Sequence, residues 1–112
     1  MRMSKHLLEI KAPDYSNSQG RPFGYREYDE IVVYEIYNLW LDEMMPLFQR
    51  VNTALVYGGI VQIRLPSPLL VSVPLIIWKT YPDKDKIANE AARAGFYFPL
   101  DIQKDYAIVG VK

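Results

Sequence analysis

Residues 54–81 read ALVYGGIVQIRLPSPLLVSVPLIIWKTY, and Arg64 and Lys79 are the only charges among them. A run so apolar is either a membrane span or the buried centre of a folded domain, and its length would allow a span. Pro66, Pro68 and Pro74 interrupt it, Gly58 and Gly59 precede them, and Gln62 and Arg64 sit inside. A helix broken that often would leave backbone groups unpaired in lipid, so no membrane span is expected. The run is better read as buried strands. IVQIRL at 60–65 makes one, LLVSVPLIIWKTY at 69–81 makes a second or two short ones, and Pro66-Ser67-Pro68 turns the chain between them. Strands buried on both faces are near-continuously apolar, as these are. Pro74 cannot donate to a ladder and marks an edge or a bulge.

The segment before this run, residues 29–51, reads DEIVVYEIYNLWLDEMMPLFQRV. Glu35, Asn38, Asp42 and Gln49 fall on one narrow polar stripe at helical spacing, and apolar residues occupy the rest of the circumference. A helix over 29–51 is therefore expected, capped by Asp29 and kinked or divided at Pro46. EIVVYEIY is rich in β-formers, which leaves a strand over 30–37 as an open alternative. After the run, residues 82–95 predict a second helix over about 83–94: Pro82 and Asp83 suit its start, alanines its body and Gly95 its cap. HLLEIKA at 6–12 alternates as a half-buried strand ended by Pro13, and YAIVGV at 106–111 reads as a closing strand. Residues 13–28 are rich in Gly, Pro, Ser and Asn and read as an irregular loop. The expectation is a single α+β domain over 1–112, with a small mainly antiparallel sheet packed by the two helices.

Residues 80–98, TYPDKDKIANEAARAGFYF, resemble the segment of inhibitor-of-apoptosis repeats that ends in A-x-A-G-F-Y, here Ala92 to Tyr97. The resemblance is confined to that segment. Those repeats are zinc domains that hold their metal with cysteines and a histidine downstream. This chain has no cysteine, so the resemblance implies a capped helix and an aromatic anchor, and no zinc site.

Composition narrows the chemistry further. Thirteen basic and thirteen acidic residues cancel, so bulk attraction to nucleic acid or an acidic membrane is not expected. The absence of cysteine removes disulfides, thiolate metal sites and cysteine nucleophiles. The one histidine, His6, has no partners in a recognisable catalytic or metal-ligand pattern, and no GxxxxGK[ST] or GxGxxG loop occurs. No cofactor is expected, and no signal peptide is recognisable, which makes a cytoplasmic location (or a host cell, for a viral protein) the default.

Three functional readings follow. The first is a small non-enzymatic interaction or accessory protein, self-associating or binding another protein, of a kind that viruses and mobile elements carry. Its contact residues would be Tyr37, Trp40, Leu41, Met44 and Phe48 on the over-apolar helix, since large aromatics anchor interfaces. The second is nucleic-acid binding through Arg21, Phe23, Tyr25 and Arg26, where basic and aromatic side chains alternate on the loop. The third is a metal-dependent enzyme using Glu35 and Asp42, which would share one helix face.

Overall fold

The computed structural model describes residues 7–15, 24–65, 84–99 and 107–112. Four strands make one sheet: β1 (Leu7–Lys11), β2 (Tyr28–Tyr34), β3 (Leu55–Arg64) and β4 (Ala107–Val111), side by side in that order. β1–β2 and β2–β3 are parallel, and β3–β4 is antiparallel. The sheet is mixed and mostly parallel, which corrects the expected mainly antiparallel arrangement. The second strand of the expected hairpin, 69–81, lies outside the described residues.

Parallel neighbours need a return connection of about a dozen residues or more. Residues 12–27 supply it between β1 and β2. Helix α1 (Leu41–Ala54) supplies it between β2 and β3, making a β–α–β unit. The expected helix over 29–51 is thus two elements. Its first part, 28–34, is strand, and only its second part is helix. Tyr34 ends the strand, Glu35 turns the chain, and a short 3-10 turn at Ile36–Asn38 leads to Trp40 in extended conformation ahead of α1. The Trp40 backbone N–H donates to the Glu43 carboxylate at 2.8 Å, which satisfies one donor at the helix start. Asp42 and Glu43 in the first turn suit the positive end of the dipole. α1 continues past Pro46 as one helix.

Met44, Leu47, Phe48, Val51 and Ala54 form the buried face of α1. They pack with Ile10, Ile31, Val33, Val61, Ile63 and Ile108 from one face of the sheet, and with Ile87 and Ala91 of α2 (Lys84–Arg93). Small alanines on α2 allow close approach, and α1 and α2 are in contact. Gly95, at φ +108°, ends α2, and the Phe96 N–H returns to the Ala91 carbonyl at 3.3 Å. Phe96 is buried beneath this cap. On the opposite sheet face Val32, Ala107 and Val109 are also buried, outside that core cluster. Among the described residues, no helix is long and apolar enough to cross a membrane.

Candidate functional site at the carboxyl ends of the parallel strands

Because β1 and β2 are parallel, their carboxyl ends lie together, and both strands end in 3-10 turns: Ala12–Tyr15 after β1 and Ile36–Asn38 after β2. The two turns are in contact. Lys11 and Tyr34 are register partners and so point to one face, the face turned away from the helices. Glu9 lies on that face two residues earlier. An open cleft of about 480 Å³ forms here, lined by Glu9, Ile10, Lys11, Asp14, Tyr15 and Tyr34. From α1, the Arg50 guanidinium lies 5.5 Å from the Tyr15 ring centre and donates to the Tyr15 carbonyl at 3.4 Å, holding the wall in place.

Glu35 sits at the end of β2 with φ 59° and ψ 36°, a left-handed conformation uncommon for a residue with a side chain. Its carboxylate accepts from the Asn38 amide at 3.0 Å and lies 4.0 Å from the Lys11 ammonium. Half-buried Tyr37 follows two residues on. Burial, and secondarily the Glu35 carboxylate, hold its hydroxyl above the ordinary value of 10.0, so Tyr37 is a neutral hydrogen-bonding group across the physiological range. The end of the sheet therefore gathers the Lys11 ammonium, the carboxylates of Glu9 and Asp14 and the rings of Tyr15 and Tyr34 around a depression, with Glu35 and Tyr37 beside it. Such a set can hold a small ligand carrying both charges and a flat ring.

The residues singled out from the sequence are not gathered in one place. Met44 and Phe48 are fully buried core residues, so the expected five-residue contact face is not a surface. Trp40 and Leu41 are 56% and 39% exposed, and Tyr37 is half-buried beside Glu35. Glu35 and Asp42 do not share a helix face, because Glu35 precedes the 3-10 turn and Asp42 is in α1. Among the described residues, no three potential metal-ligating side chains form a group. Tyr25 and Arg26 are exposed neighbours, while Arg21, Phe23 and His6 lie outside the described residues. Sequence reasoning passed over Lys11, Asp14, Tyr15 and Tyr34. Their shared signal was their position at strand ends, which has meaning only once the strands are known to be parallel.

No protein-family model matches the chain, and no curated protein sequence does. Solved structures share its fold. A proposed exported protein from Bordetella parapertussis matches with a TM-score of 0.56 at 17% identity, over 82% of this chain and 41% of that one. A proposed O-methyltransferase from Nostoc punctiforme matches with a TM-score of 0.57 at 17% identity, over 81% of this chain and 33% of that one. Human N-acetylserotonin methyltransferase, in complex with SAM, matches with a TM-score of 0.56 at 18% identity, over 83% of this chain and 31% of that one. The chain thus spans less than half the length of each of these structures, and the likeness is one of fold.

Proposed function

We propose that the chain is a ligand-binding unit of the methyltransferase type, and that its working end is the cleft at the carboxyl ends of β1 and β2. The observation that carries this reading is Glu35. A residue with a side chain is held left-handed where a parallel strand ends, with Lys11, Tyr37 and Asn38 around it. Such strain costs about 1–3 kcal/mol and collects at ligand clamps and active sites. In α/β sheets, ligands bind outside the carboxyl ends of the strands. The SAM bound by the human neighbour has chemistry that suits this set. Its carboxylate would meet Lys11, its cationic groups Glu9 or Asp14, and its purine a tyrosine face. The reading is one of binding.

The test is calorimetric titration with S-adenosylmethionine and its demethylated product. Binding should weaken roughly fivefold or more for Lys11→Ala, the loss expected of one charge-assisted contact. Absence of binding to the unmodified chain at millimolar ligand would sink the reading.

A second reading, protein association, is favoured by one observation: Trp40 and Leu41 are adjacent, exposed and apolar at the start of α1. Together with Tyr37 they would form a small contact patch at the same end of the molecule, for a second copy or another protein. Sedimentation across a concentration series distinguishes it. A dimer that Trp40→Ser dissociates supports association, and a monomer throughout removes self-association.

A further inference from the structure

At the opposite end of the sheet, four segments meet around one tyrosine. Tyr28 pairs with Leu55, but Glu30 pairs with Ile60, so β3 carries extra residues against β2 and bulges. Bulges re-aim side chains, and this one turns Tyr57 out to 70% exposure. Gly58, at φ +81°, and Gly59 make it feasible, since a Cβ on Gly59 would come within 2.8 Å of the Val56 carbonyl oxygen. The Arg26 guanidinium lies 4.4 Å from the Tyr57 ring centre and 4.9 Å from the ring of Tyr25, and donates to the Tyr57 hydroxyl at 2.8 Å. The Lys112 ammonium lies 4.9 Å from the same Tyr57 ring.

The framework around this cluster is fixed. The Arg26 and Glu27 N–H groups donate to the Thr53 and Ala54 carbonyls at the end of α1, at 3.0 and 2.8 Å. Lys112 donates through its ammonium to the carbonyls of Asn52 and Leu55, at 2.6 and 2.8 Å. Arg26 is itself left-handed, at φ 51°. Two cations thus share one exposed ring, and among the described residues neither has a carboxylate partner. Burial first, and the Arg26 charge second, lower the Lys112 pKa. Two cations and two exposed tyrosines match a ligand that brings negative charge and a flat ring together.

We propose that Arg26, Lys112, Tyr25 and Tyr57 form a nucleotide-binding site, in which the cations meet a phosphate and an exposed tyrosine stacks on a base. The ligand is a nucleotide, free or as a unit of a single strand. This site is separate from the carboxyl-end cleft and does not depend on it.

Fluorescence anisotropy with a labelled oligothymidylate, and competition by adenosine monophosphate, test the proposal over a range of salt. The replacement Arg26→Asn suits the left-handed backbone, and Tyr57→Ser alters only an exposed side chain, so both should fold, as circular dichroism would verify. Each should weaken binding roughly tenfold, the range of one lost stack or phosphate contact. Arg26→Asn should also lower the slope of log affinity on log salt by about 0.7. Arg93→Gln, which removes an equal charge from α2, should change affinity less than about twofold. Competition by the mononucleotide identifies a free nucleotide as sufficient, and binding of the oligomer alone identifies a strand; either supports the site. No binding at low salt, or binding that all three variants retain equally, overturns it.

Discussion

Glu35 is the residue on which the carboxyl-end reading turns. Its left-handed backbone would suit glycine, yet it carries a carboxylate that meets Lys11 and Asn38. A β-branched residue tolerates that backbone poorly, so Glu35→Val should destabilise by about 1–3 kcal/mol in urea denaturation, whereas Glu35→Gly should be far milder. Both should lose the ligand. Tyr37 reports the same spot through pH. The fold holds its proton more tightly than the unfolded chain does, so the folded state binds more protons above the ordinary value of 10.0. Its contribution to stability is therefore complete below pH 10.0 and is lost as pH rises through the raised value. Glu35→Gln removes the lesser cause and should move the Tyr37 titration downward while burial keeps it raised, which carbon NMR of the tyrosine ring would follow. From the sequence, Glu35 was one member of a polar helical stripe. Its backbone geometry left no trace there, because glutamate is an unremarkable helix former.

At the scale of the element, β1 and α2 were readable because each has one buried face and a clear period, and β4 because it is a short apolar run of β-formers. The join between β2 and α1 was not. Ile31 and Val33 face the helices while Val32 is buried on the other side, so β2 shows no alternation. It then runs through a short turn into α1, whose own apolar face is broad. A strand buried on both faces followed by an amphipathic helix gives one long apolar stretch that helical spacing also fits. The division makes a measurable distinction between α1 and the residue just ahead of it. Phe48→Ala should cost about 3–5 kcal/mol, because the side chain is wholly buried. Trp40→Ala should cost about 0.5 kcal/mol or less in the monomer, as surface changes do. Similar losses at both positions would contradict this division of buried helix from exposed entry residue. The bulge in β3 offers a second check. Gly59→Ala should destabilise by about 1–3 kcal/mol, since its added methyl meets the Val56 carbonyl oxygen, which is backbone and cannot turn aside.

For the whole molecule, strand direction decides where function can lie. An antiparallel sheet would have sent the ends of β1 and β2 to opposite sides. The parallel pairing brings Lys11, Asp14, Tyr15, Tyr34 and Glu35 to one end and Arg26 and Tyr57 to the other, where the antiparallel β4 delivers Lys112. Direction depends on how the chain returns between strands, and neither apolar pattern nor turn residues report it. The length of the 13–28 segment, too great for a tight hairpin, was the available hint. The most direct measurement is an amide NMR titration of the labelled chain with S-adenosylmethionine. Shifts concentrated in residues 9–15 and 34–38, and abolished by Lys11→Ala, are the predicted result. Unchanged spectra at millimolar ligand, or shifts centred on Arg26 and Tyr57 alone, would contradict the assignment of the carboxyl end as the working end.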